Sequence, residues 1–265
     1  MTDIASYRFV APQCLPGEPI FAVGDVHGQS SIFERVLRRA ADALESGRVT
    51  RAVFLGDIID RGPDSLKCLR LLAAFRDRYP STLLMGNHEQ CMLTCYFHEC
   101  EKARKDARYN WRSRDFGGSW GLDMGDDLPA VLAELDLMPE HWGSAASFGN
   151  VIFVHAGVPA YSPKAALPAF LALPALGLPE GEGTSFPHWA WIREGFLEEE
   201  EPVPGRFVVH GHTKVDFTGQ PLSGRVNLDA SGRRAICSAI VDDRSIEMEI
   251  FGDGAEGSVS AGQAV

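Results

Sequence analysis

GDIIDRGPDS, residues 56–65, follows the apolar run AVFL (52–55) and leads into the amphipathic stretch SLKCLRLLAAF. A short β-branched or aromatic run, a glycine with polar residues, then a helical pattern reads as strand, loop and helix, the unit of a parallel βαβ layer. The loop carries Asp57 and Asp60 beside Arg61, and unpaired carboxylates cost several kcal/mol to bury. The fold therefore has to supply them with a partner.

The same unit recurs on both sides. IFAVG (20–24) runs into DVHGQS and a helix from about Ser31, where Ser31 and Glu34 have capping-box spacing and Ile32, Phe33, Val36, Leu37 and Ala40 form an apolar face. TLLMG (82–86) runs into NHE and a helix beginning near Gln90, and VIFVHAG and RFVVHGHT have the same form with longer loops after them. The pattern is α/β. In such sheets ligands bind beyond the carboxyl ends of the strands, and there the five runs place Asp25 and His27; Asp57, Asp60 and Arg61; Asn87, His88 and Glu89; His155; and His210 and His212. A lone histidine after a strand is ordinarily a hydrogen-bonded structural residue. Five successive strand endings that all carry ligand-type side chains point to a metal site. NLDASGRRAICSAIVDDRSIEMEIFG (227–252) alternates as a late hairpin and is expected to form a second sheet.

Composition narrows the function. The 265 residues carry 25 basic and 36 acidic side chains, a net charge of −11. No basic stripe offsets that charge, which excludes long nucleic acid as a partner. No apolar run reaches the roughly 18 residues of a membrane span and the N-terminus lacks a signal-peptide pattern, so the chain reads as cytoplasmic with no membrane partner. The six cysteines, at 14, 68, 91, 95, 100 and 237, have no paired spacing. Cys91, Cys95 and Cys100 are the rival metal site, but on one helix the third would lie well round the cylinder from the other two. Imidazole with carboxylate and amide oxygen suits Mn, Fe or Zn instead. One domain is expected over residues 1–252, with a disordered tail at 253–265; the Pro/Ala-rich stretch 158–188 reads as loop, and LEEEE (197–201) as a solvated acidic surface. Trp189 and Trp191 read as packing.

GDVHG, GDIIDRG and GNHE, in this order and separation, with HAG, WIR and HGHT downstream, resemble the signature motifs of the phosphoprotein phosphatase family of calcineurin-like metallophosphoesterases, bacterial members above all. The resemblance runs from about Ile20 to about Ala239. It implies a central β-sandwich of mixed sheets flanked by helices and a dinuclear centre of two divalent ions, Mn foremost. In that centre Asp25 and His27 would hold the first metal, Asp57 would bridge, and Asn87, His155 and His212 would hold the second, with His210 outside the ligand set. By the same resemblance a hydroxide between the metals attacks phosphorus in line, and His88 protonates the leaving oxygen. Asp60 raises the His88 pKa, and Arg61 and Arg193 clamp the phosphoryl group. Family members include serine/threonine protein phosphatases and symmetrical diadenosine tetraphosphate hydrolases. Glu89 and Asp60 lean toward the protein phosphatases, RGPDSLKCLR toward the nucleotide hydrolases, so the implied partner is a phosphoprotein or a small phosphate ester or dinucleotide. LDASG (228–232) departs from the IDTGA of bacterial relatives. A module that binds metal without catalysis is the reading from another class.

Overall fold

The computed structural model describes residues 4–112, 127–159, 167–168, 176, 189–214, 223–231 and 234–252; the tail 253–265 and most of the 158–188 stretch lie outside them. IFAV forms β2 (Ile20–Val23), buried throughout because both faces of the strand are covered. Phe21 and Val23 enter a core shared with helices, while Ile20 and Ala22 enter a second core between sheets. Parallel to β2 run β3 (Arg51–Phe54) and then β4 (Ser81–Leu83). The crossovers are α1 (Ser30–Glu45) and α2 (Ser65–Arg76). Phe54 ties the three together, its ring meeting Phe33 of α1 edge-on at 6.1 Å and Phe75 of α2 at 5.7 Å. Truncating such a buried ring to alanine costs about 3–5 kcal/mol.

Three more strands complete this sheet, all antiparallel: β1 (Ile4–Val10), β9 (Ala235–Asp242) and β10 (Ser245–Gly252), in the order β1-β10-β9-β2-β3-β4. A second sheet, β5-β6-β7-β8, is made of Ala145–Phe148, Val151–Val154, Phe207–His210 and Arg225–Asn227. Val151 and Phe153 of β6 and Phe207 and Val209 of β7 face Val53, Ala239, Val241 and Met248 of the first sheet, as the period of two requires. Ile152 and Val154 face outward to the helix-side core.

The late hairpin β9–β10 thus exists, but it does not found the second sheet. Ile20–Val23 pairs with Val241–Ser238 and draws the hairpin into the first sheet, and the second sheet is built instead on VIFV and FVVH. Strand β1, paired along its length with β10, had no sequence signal strong enough to place it. The expected capping box of α1 does not form. The helix begins at Ser30, whose hydroxyl donates to Asp64 Oδ2 (2.8 Å), and Glu34 pairs with Lys67 (2.8 Å). The third helix, α3 (Asn87–Phe97), begins three residues earlier than expected. It also stops before Cys100, which instead caps α4 (Glu101–Trp111) and is exposed while Cys91 and Cys95 are buried.

Candidate metal centre

The loops after β2, β3, β4, β6 and β7 meet at one place, and two glycines let them approach. A Cβ on Gly56 (φ +100°) would lie 2.3 Å from the Gly86 nitrogen, and one on Gly86 would lie 2.2 Å from Asp57 Oδ1. The backbone is strained there as well. Of the eight non-glycine residues with positive φ among the described ones, five are His27 (47°), Asp57 (53°), Asp60 (68°), Arg61 (60°) and His212 (68°). Each such residue costs of order 1–3 kcal/mol and persists only where its surroundings over-determine it.

Glu89 provides much of that determination. Its buried carboxylate accepts from the amides of Asp57 (2.7 Å), Ile58 (2.8 Å), Ile59 (3.2 Å) and Gly86 (3.1 Å). The last bond is the N3-to-N-cap half of a capping box, which is why α3 can start at Asn87 and present Asn87 and His88 from its first turn. Asp57 oxygen in turn accepts from the amides of Val26 (2.9 Å) and His27 (2.8 Å), locking the loop after β2 onto the loop after β3.

Two clusters of potential ligand atoms share Asp57: His27, Asp57 and His88, and Asp57, His155 and His212. His155 Nδ1 donates to the Leu55 carbonyl (2.9 Å), and burial holds the imidazole near pKa 3, hence neutral. Its Nε2 is therefore a bare lone pair. It faces Asn87 Oδ1 at 3.1 Å and Asp57 Oδ1 at 3.4 Å, with His212 Nδ1 2.9 Å from the same Asn87 oxygen. His27 repeats the arrangement. Its Nδ1 donates to the Ile59 carbonyl (3.1 Å), and its Nε2 lies 3.7 Å from Asp25 Oδ2 and 3.6 Å from Asp57 Oδ2. Buried carboxylates and neutral imidazole nitrogens that converge this closely repel, and a cation is the partner that resolves this, a need the Arg61 guanidinium meets only in part at His27 Nε2. The carboxylates register the same excess. Burial, then Asp229 and Asp57, pushes Asp25 well up, and burial, then Glu89, pushes Asp57 well up. The donor set fits two divalent ions and answers what Asp57 was buried for.

Asp60 is committed elsewhere. His88 Nδ1 and Asp60 Oδ2 share a hydrogen bond of 2.8 Å, as the motif implied. The expected rise of the imidazole pKa does not follow. Burial, then His27 and Arg61, holds His88 well below its usual value, and burial pushes Asp60 up to about 8. The couple as a whole still carries one proton near neutrality, shared between imidazole and carboxyl. His88 Nε2 lies 3.7 Å from Asp57 Oδ2, at the edge of the first cluster.

Arg61 is exposed, with Nη1 donating to His27 Nε2 at 2.8 Å. Arg193 is also exposed, in irregular backbone rather than on a helix, and after burial its charge adds to the lowering of the His155 and His212 pKa values. The two histidines of HGHT part company because β7 ends at His210. His212, in left-handed backbone, donates its amide to Asp25 Oδ1 (3.1 Å) and turns into the second cluster. His210 packs edge-on against Phe196 (4.8 Å). Trp189 is buried, and Trp191 donates to Gln90 Oε1 (2.6 Å).

Three residues escaped sequence reasoning. Glu89 counted as a ligand-type side chain and as a branch marker in GNHE, not as the acceptor for a loop. Asp229, in the divergent LDASG, is buried with Oδ2 unpartnered among the described residues and, after burial, adds to the rise of the Asp25 and Asp57 pKa values. Trp111, in no motif, donates Nε1–H to Asp60 Oδ2 at 2.8 Å.

The family described as calcineurin-like phosphoesterase matches residues 18–253. The Drosophila melanogaster serine/threonine-protein phosphatase 6 catalytic subunit is 38% identical over 87 residues, 31% of this chain and 27% of that protein. Serine/threonine-protein phosphatase SIT4 of Candida albicans is 36% identical over 87 residues, 31% and 28% respectively. The match thus spans little more than a quarter of either relative. Among solved structures, a protein described as a candidate diadenosine tetraphosphatase aligns over 90% of this chain and 95% of its own, with TM-score 0.48 and 19% identity.

Proposed function

Since the chain belongs to the calcineurin-like phosphoesterase family and is a phosphoester hydrolase, we propose that it is a serine/threonine protein phosphatase using two divalent ions, manganese foremost, in the cytoplasm. The observation that carries this reading is the pair of lone-pair clusters sharing Asp57 with the His88–Asp60 couple alongside. Asp25, His27 and Asp57 would hold one ion; Asp57, Asn87, His155 and His212 would hold the other. The ions would supply charge neutralisation at the phosphoryl oxygens and a water acidic enough to act as nucleophile near pH 7.

The chain's own residues do the rest. Arg61 and Arg193 present guanidinium forks from opposite sheets, suited to bidentate contact with two phosphoryl oxygens. His88, fixed through Nδ1, turns Nε2 toward the site and delivers the couple's proton to the departing oxygen. A serine or threonine alkoxide is too basic to leave without it, so the acid couple supports an alkyl phosphoester as substrate. The names of the relatives matched over 87 residues lean the same way.

Turnover of phosphoserine and phosphothreonine peptides should be measured beside diadenosine tetraphosphate, with Mn added. Faster peptide turnover is expected. Preference for the dinucleotide would replace the substrate reading by symmetrical dinucleotide hydrolysis, and no turnover of any ester with metal bound would leave a binding module.

A further inference from the structure

Trp111 is the last residue of α4, 51 positions from Asp60 in the chain, and its indole Nε1–H donates to Asp60 Oδ2 at 2.8 Å. That oxygen is the one hydrogen-bonded to His88 Nδ1, also at 2.8 Å. The other oxygen of that carboxyl, Oδ1, is buried with no hydrogen-bond partner among the described residues. One oxygen makes both bonds, so the indole decides how the carboxyl group is turned about its own axis and where the imidazole finds its partner. The indole is itself fixed: Trp111 is 1% exposed and its ring meets Tyr96 of α3 edge-on at 6.4 Å. The Asp60 backbone is held separately, its amide donating to Ser65 Oγ at 2.8 Å. An indole N–H donates and cannot accept, so it steadies Oδ2 without competing for the proton that passes along the couple.

We propose that Trp111 is a positioning residue for proton delivery, acting through Asp60 on the orientation of His88. The inference rests on the phosphoester-hydrolase reading above and adds a third member to the acid couple, supplied by a helix outside every recognised motif. A purely packing role would ask only for the ring. The positioning role asks for the N–H, and the need should grow with the basicity of the leaving oxygen.

Trp111→Phe keeps the ring and deletes the donor. With metal content checked by elemental analysis, kcat should fall about tenfold on a phosphoserine peptide, the scale of one hydrogen bond to a charged group. It should change less than about twofold on p-nitrophenyl phosphate, whose leaving group needs little protonation. Aryl phosphates of rising leaving-group pKa should fall between the two in order. Equal losses on every ester, or no loss on the peptide, would overturn the proposal. A second measurement covers a variant that fails to fold. In Asp60→Asn the Trp111 indole N–H resonance should shift, because its acceptor changes from a carboxyl to a carboxamide oxygen, and an unmoved indole spectrum would overturn the contact itself. A wild-type protein with no phosphoesterase activity would defeat the functional reading and leave the indole shift still to be seen.

Discussion

The two sheets contribute to the centre in different ways. Loops from the first sheet are knitted by their own backbone. Glu89 gathers the amides of 57–59, Asp57 oxygen holds those of Val26 and His27, and Gly28 oxygen accepts from the Asp64 amide at 3.0 Å. The second sheet brings its histidines on loops that lean on the first: His155 on the Leu55 carbonyl, His212 on the Asp25 carboxylate. Among the described residues they share one backbone bond, Gly211 amide to His155 oxygen at 2.7 Å. One half is prebuilt and the other is docked onto it. Damage should therefore spread from the first sheet to the second more readily than the reverse.

Asp57 is where that asymmetry is most exposed, because it belongs to both clusters. Asp57→Asn removes the one charge both ions would share, and we expect it to strip both metal equivalents and abolish turnover. Elemental analysis that still finds two tightly held equivalents would dismiss the bridging role.

His88 separates chemistry from assembly within the prebuilt half. His88→Asn should keep both metals and lose about 10²–10⁴-fold on a phosphoserine peptide, the range of general acid catalysis, while p-nitrophenyl phosphate hydrolysis changes little. Metal loss would instead make His88 a ligand, an outcome its place in the first cluster keeps in play.

In the docked half, His212→Ala should empty one site and leave the other occupied. His210→Ala should leave both occupied and lower the rate about tenfold or less, as a residue behind the ligands does. Two equivalents lost from His212→Ala would erase the asymmetry between the sheets.

Legibility in the sequence followed the same division. The prebuilt half could be read almost residue by residue, because its ligands sit in contiguous motifs whose glycines and strand endings are local signals. GDIIDRG and GNHE even contain their own brace, Glu89, although a carboxylate thirty positions from the amides it holds looks like a surface residue in one dimension. The docked half was legible as single histidines only. Whether His210 and His212 share a face depended on the strand ending, which the positive φ of His212 decides and β-branched patterning does not. Membership of the sheets was misread for a related reason: alternation locates strands but carries no information on which neighbour they choose. Trp111 and Asp229 reach the site through tertiary contacts alone.

The mildest expected effect concerns pH and tests whether the buried charge is what the ions relieve. In chelated protein Asp60 has its pKa pushed up to about 8, and Asp25 and Asp57 are held well above their usual values, all chiefly by burial. Such carboxylates keep protons in the folded state that the unfolded chain has lost above about pH 4. Folding stability of the chelated form therefore falls as pH rises toward 8. The buried histidines act oppositely but in another window. His155 and His210, held near pKa 3, stay neutral when folded, so their penalty appears only below about 6.5, where the unfolded chain takes up protons. Between about pH 6.5 and 8 the carboxylates stand alone. Bound cations would keep them ionised in the native state, so metal-loaded protein should not share the decline. The gap in Tm between Mn-loaded and chelated protein should widen by roughly 4 °C across that interval, given about one proton released and a chain of this size. A gap that stays constant or narrows with rising pH would mean that the carboxylates of the prebuilt half are not what the metals stabilise.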